Sequence, residues 1–112
     1  MRRGQIWLYN SNPSVGDEII KVRPAVIVGN NEVGTLRLKI VTPITNWDDA
    51  FTRVAWMVKV KPSLENGLSK PSVDTFQVRS VSQQRLIRQL SILSEQTMRE
   101  VTRALAIVLK IE

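Results

Sequence analysis

The chain has 112 residues, enough for one modest core and too few for two independent ones, so a single domain over 1–112 is expected. Hydrophobic residues make up 43%, which argues against global disorder, and no run of about 18 apolar residues is there to span a membrane. Sixteen Lys and Arg against ten Asp and Glu leave a net charge of +6, which favours a polyanionic partner, nucleic acid before others, over a merely soluble basic surface.

The sequence contains no cysteine and no histidine. Disulfides, thiolate metal sites and imidazole metal centres are therefore excluded, and only carboxylates remain as metal ligands. The usual neutral-pH proton shuttle is missing as well. Any chemistry must come from Arg, Lys, Thr, Ser, Tyr, Asp or Glu. The basic start MRRGQIWLYN turns polar before a signal-peptide core can form, so a cytoplasmic location is expected.

In chain order, Gln5–Tyr9 is rich in strand formers. NSNPSVGDE then has loop composition. Pro24–Val28 reads as a strand, with Pro24 at its first position, where no ladder N–H is needed. Asn30–Gly34 resembles a hairpin connection. Thr35–Val41 alternates, which predicts a half-buried strand with Leu36, Leu38 and Ile40 inward and a basic outer face of Arg37 and Lys39. Pro43–Phe51 reads as a loop. Strands are expected again at Arg53–Val60, Val73–Val78 and Arg88–Leu93, with one helical turn over SQQRL.

Only the tail carries a full helical pattern. Ser94 is placed to cap it, and Glu95–Lys110 has no Gly or Pro. Met98, Val101, Leu105 and Val108 recur at helical spacing, and from Ala104 the helix is apolar nearly all round. The sum is five to seven short strands and a C-terminal helix, which predicts a small, mostly antiparallel barrel.

Four segments can carry chemistry. Lys21 and Arg23 stand at the mouth of a strand, and proline at the next position holds Arg23 extended. A guanidinium there fits a phosphate clamp, or an ion pair with Asp17 or Glu18. Thr42 and Thr45 bracket Pro43 and suit either a phosphate contact or a turn cap. Trp47 and Phe51 flank two aspartates, so Trp47 is either a platform for an unpaired base or a lid on the core. Phe76–Ser80 with Gln83, Gln84 and Arg85 forms an amide-rich basic edge, fit to read bases or simply solvated.

Together these segments resemble the MazF/PemK family of toxin endoribonucleases. RRGQIWL resembles the family's opening, NPSVGDEIIKVRPAVIVGNN its P-x-x-G-x-E-x-x-x-x-R-P signature, VTPIT its P-I-T segment, and QVRSVSQQRL its Q-I-R-T-x-x-x-x-R-L stretch. The resemblance implies an SH3-like barrel with a C-terminal helix, a homodimer, and metal-independent, sequence-specific cutting of single-stranded RNA with no cofactor. It also implies a cognate antitoxin whose acidic tail covers the RNA groove. Carried over by position, the catalytic arginine is Arg23, the catalytic threonine Thr45, and Glu18 the acidic loop residue. Lys21, Asn46, Trp47, Gln77, Arg79 and Arg85 are the expected RNA contacts. The sequence departs from the family in its D-E-I-I loop, at Gly29 and at Asn46, where other members commonly differ. A non-catalytic nucleic-acid-binding barrel is the alternative, since small barrels of this kind bind many ligands.

Overall fold

A computed structural model describes residues 1–11, 22–33, 37–61 and 71–111. Among them, seven strands precede one helix: β1 (Gln5–Asn10), β2 (Val22–Ile27), β3 (Leu38–Asn46), β4 (Met57–Lys59), β5 (Pro71–Asp74), β6 (Arg79–Ser82), β7 (Leu86–Ile92) and α1 (Glu95–Leu109). Short 3-10 turns occupy Asp49–Arg53, Thr75–Gln77 and Gln83–Arg85. Every pairing is antiparallel.

The strands follow the order β4-β5-β3-β2-β1-β7, with β6 also paired to β3. This sheet does not close, so the expected SH3-like barrel is corrected to an open sheet with a C-terminal helix. A barrel needs its first and last strands in register. Here β4 and β7 are the two ends, and no ladder joins them among the described residues. The reason lies in β3. Its first half pairs with β6, from Leu38↔Ser82 to Val41↔Arg79, and its last part pairs with β5, from Ile44↔Val73 to Asn46↔Pro71. Between those ladders the chain leaves β3 in the Thr75–Gln77 turn. Strand β4 is only three residues long, and α1 packs beside it and beside that turn.

Two apolar clusters sit on opposite faces of the sheet. Ile6, Val26, Ile44, Val58 and Val73 face α1, which contributes Met98, Val101 and Ala104. Tyr9, Ala25, Ile27, Val41, Val81 and Leu86 form the second cluster, with Trp7 against it. The alternation along β1 and β2 divides Ile6 and Val26 from Tyr9, Ala25 and Ile27, as a two-residue side-chain period requires.

Local chemistry fixes the helix to the sheet. The Ser94 hydroxyl accepts from Thr97 N–H at 3.1 Å, the expected N-cap. Arg3 donates through Nε to Val28 O at 3.2 Å and through Nη2 to Thr102 Oγ1 at 2.6 Å. Gly4 has φ 94°, a region that disfavours a side chain; its N–H donates to Ile27 O and its carbonyl accepts from Leu93 N–H, both at 2.8 Å.

Several expected elements shift. Pro43–Asn46 continues β3 and is not loop. Arg53–Val60 holds a strand only at Met57–Lys59, and the expected Val73–Val78 strand is split by the Thr75–Gln77 turn. Leu38 and Ile40, expected inward, are 51% and 47% exposed. Val28 and Gly29 N–H groups both donate to Ile40 O, at 2.9 and 3.3 Å, a bulge just past the end of β2. The SQQRL turn is found at Gln83–Arg85. Residues 34–36, part of the expected hairpin and strand, lie outside the described residues. No described helix is long and apolar enough to cross a membrane.

Candidate functional site

The face not covered by α1 carries Arg23 and Arg79 among the expected site residues. Arg23 is the second residue of β2, half-buried, and directly opposite Tyr9 of β1. No hydrogen bond or ion pair engages its guanidinium among the described residues. Its place follows from Pro24, which keeps the preceding residue extended and can occupy a strand only where no donor is required.

Thr45 lies on β3, exposed, opposite Ser72 of β5. Its carbonyl accepts from Ser72 Oγ at 3.1 Å, while its own hydroxyl has no partner among the described residues. The β2–β3 ladder runs Ile27↔Val41, Val26↔Thr42, Ala25↔Pro43. Continued for two residues in the same register, it sets Arg23 across from Thr45. Opposed residues of an antiparallel pair project to the same face. In that continued register Arg23 and Thr45 would share a row, on the face that also presents Tyr9, Ala25 and Ile27.

Thr42 does something else. It is fully buried and its hydroxyl donates to Asp74 O, tying β3 to the end of β5. The two threonines that bracket Pro43 thus divide into one structural and one exposed group.

Trp47 is half-buried at the end of β3. Phe51 meets its ring edge-on at 5.7 Å between centroids, and Lys59 Nζ sits 5.3 Å from the ring centroid. It is thus a partly engaged aromatic beside a cation, neither a buried lid nor a free platform. Asp48 caps the following turn, accepting from Ala50 N–H at 2.9 Å. Asn46 is exposed, opposite Pro71.

The basic edge divides. Arg79 extends from β6 opposite Val41 and donates through Nη1 to Tyr9 Oη at 3.3 Å. Arg85 donates through Nη1 to Asn10 O at 3.3 Å, at the far end of β1. Gln77 instead donates to Asp74 Oδ2 at 2.7 Å, in the turn that packs against α1. The register does not bring Gln77 to Arg23. Glu18 and Lys21, expected at the mouth of the site, lie outside the described residues, as does Asp17.

Two features escaped the sequence reading. Tyr9 looked like an ordinary strand residue; the available signal was a phenol ending an otherwise apolar QIWLY run. Trp56 and Phe76 form an exposed ring pair, 5.4 Å between centroids, that only tertiary structure brings together. A cavity of about 290 Å³ lined by Ile27, Gly29, Leu38, Lys39 and Ile40 sits at the other end of the β2–β3 pair and includes neither Arg23 nor Thr45. Among the described residues no cluster of three or more carboxylates could hold a metal ion.

Known proteins share this architecture. A Mycobacterium tuberculosis protein named endoribonuclease MazF9 is 26% identical over 109 residues, spanning 94% of this chain and 92% of its own. Endoribonuclease MazF of Staphylococcus saprophyticus is 29% identical, spanning 97% and 91%. Among solved structures, a mycobacterial endoribonuclease in complex with its cognate antitoxin superposes with a TM-score of 0.78 at 20% identity, covering 98% of this chain and 95% of that one. MazF from Deinococcus radiodurans gives 0.75 at 22% identity, covering 97% and 96%. Residues 2–109 match the family described as PemK-like, MazF-like toxin of type II toxin-antitoxin system, and the chain belongs to that family.

Proposed function

We propose that this toxin cleaves single-stranded RNA at short specific sequences and that a cognate antitoxin with an acidic tail silences it. The observation that carries the reading is the β2–β3 register, which, continued, sets Arg23 and Thr45 in one row on the face that α1 leaves open.

In this reading the 2′-hydroxyl oxygen attacks the adjacent phosphorus. The P–O5′ bond breaks, leaving a 2′,3′-cyclic phosphate and a 5′-hydroxyl. The 2′-hydroxyl proton passes to a base, and O5′ takes its proton from water as it leaves. Arg23 binds the non-bridging oxygens with its planar fork and stabilises the charge that grows on them. Its guanidinium carries five N–H donors and no acceptor, so it serves as donor and not as base. Thr45 hydrogen-bonds the phosphate or the attacking hydroxyl and orients it. Glu18 is the proposed base. Lys21, Asn46, Trp47, Arg79 and Arg85 bind the flanking nucleotides.

Support also comes from the named relatives, two of which are called endoribonucleases, and from the solved complex of a structural relative with its antitoxin. Incubating the protein with a mixed RNA in chelator tests the reading. Discrete fragments ending in cyclic phosphate, and no cutting where the 2′-hydroxyl is replaced by hydrogen, are expected. Bound but intact RNA would instead indicate a binding module.

A further inference from the structure

Tyr9 is only 3% exposed, and its Oη accepts from Arg79 Nη1 at 3.3 Å across 70 residues of sequence. Strands β1 and β6 are separated in the sheet by β2 and β3. At a strand spacing of about 4.8 Å the two strands stand about 14 Å apart across the sheet, and Arg79 starts further along it, in the row of Val41 and Ile27. Two long side chains must therefore reach toward each other over the middle strands. Ala25, Ile27 and Val41 belong to the same buried cluster as Tyr9; Ile27 and Val41 share the row of Arg79, and Ala25 lies between that row and the row of Tyr9. The small Ala25 side chain leaves room for this span.

The same tyrosine is the direct cross-strand neighbour of Arg23. Opposed residues in an antiparallel pair have Cβ atoms about 5 Å apart on one face. One fixed phenol thus stands beside Arg23 and holds the tip of Arg79. A guanidinium has five N–H donors, and one is used on Tyr9. Arg79 is otherwise exposed, so the remaining donors are open to a ligand.

We propose that Tyr9 is a positioning residue that holds Arg79 toward Arg23, so that the open face grips two consecutive RNA phosphates. Arg23 takes the scissile phosphate and Arg79 its neighbour. The apolar cluster beneath keeps the phenol from moving. This inference rests on the reading of Arg23 as the phosphate-binding residue.

The test is a double-variant cycle in RNA binding. The probe is a single-stranded RNA spanning a mapped cut site, with the 2′-hydroxyl at that site replaced by hydrogen. Arg79→Gln should weaken binding about tenfold and lower the slope of log K against log salt by about 0.7. Tyr9→Phe keeps the ring and should weaken binding about three- to tenfold, with an unchanged melting temperature. With intact RNA it should raise KM and leave kcat near its starting value. The double variant should bind no more weakly than Arg79→Gln alone. Wild-type affinity in Tyr9→Phe, or fully additive penalties, would overturn the proposal while leaving wild-type cleavage in place. A wild-type protein that cuts no RNA overturns both the function and this inference. Should Tyr9→Phe fail to fold, Arg79→Lys carries the test. It keeps the charge but lacks the fork, so its affinity should fall close to that of Arg79→Gln with the salt slope retained. Wild-type affinity in that variant would count against the proposal.

Discussion

The two faces of the sheet are both apolar, yet they are finished differently. On one, Ile6, Val26, Ile44 and Val73 are sealed by the aliphatic side of α1. On the other, the smaller cluster around Ala25, Ile27 and Val41 has no helix over it among the described residues. Long side chains reach across instead, with the Tyr9–Arg79 hydrogen bond spanning the strands. Arginine can cover apolar surface with its stem and keep its charged tip in water. The difference shows how a small chain divides its labour. One face supplies stability, and the other keeps cations exposed in a fixed arrangement.

That contrast can be broken from either side. The largest stability effect is expected from Ile6→Ala on the helix side. Ile6 is 1% exposed, and its truncation should cost about 2–5 kcal/mol in a denaturant titration. A loss near zero would mean that α1 does not seal that face. Next comes Thr42→Val, which removes the donor to Asp74 O without changing shape. It should cost about 1 kcal/mol, because a partly buried carbonyl loses its donor. If the variant melts like the parent, the β3–β5 joint does not depend on that hydroxyl.

On the open side, Trp47→Ala should weaken binding of single-stranded RNA by about 1–3 kcal/mol while leaving folding intact. Fluorescence anisotropy measures this directly, and unchanged affinity would restrict Trp47 to its contacts with Phe51 and Lys59. The smallest effect belongs to Ser94→Ala. Loss of the cap should lower stability by about 1 kcal/mol and leave RNA cleavage unaltered. A drop in cleavage from that change would show that the faces are coupled.

Much of this was legible in the sequence where local chemistry decides. The helix and its cap follow from Ser94 and the spacing of Met98 and Val101, and a strand at Pro24 was foreseen, although β2 begins at Val22 and Pro24 is its third residue and not its first. The Gln83–Arg85 turn was also readable. Closure of the sheet was not, because it depends on how β3 shares its length between β5 and β6. Pro43 hid the continuation of β3, since proline usually ends a strand, yet Pro43 is fully integrated opposite Ala25. The inward row at Leu38 and Ile40 failed because these residues, though on the side of buried Thr42 and Ile44, stand at an exposed end of β3, which a two-residue period does not reveal. At the site, residue types pointed to Arg23 and Thr45. Their proposed common row comes from continuing the β2–β3 register, and the role proposed for Tyr9 from a contact between distant strands.

The most direct test is single-turnover cleavage by Arg23→Ala and Arg23→Lys beside the parent, with melting curves for all three. Loss of the guanidinium should slow cleavage by about 10²–10³ in the alanine variant. The lysine variant should recover little of it, because it lacks the fork, and melting should stay unchanged in both. Cleavage by Arg23→Ala at the parental rate would contradict the account.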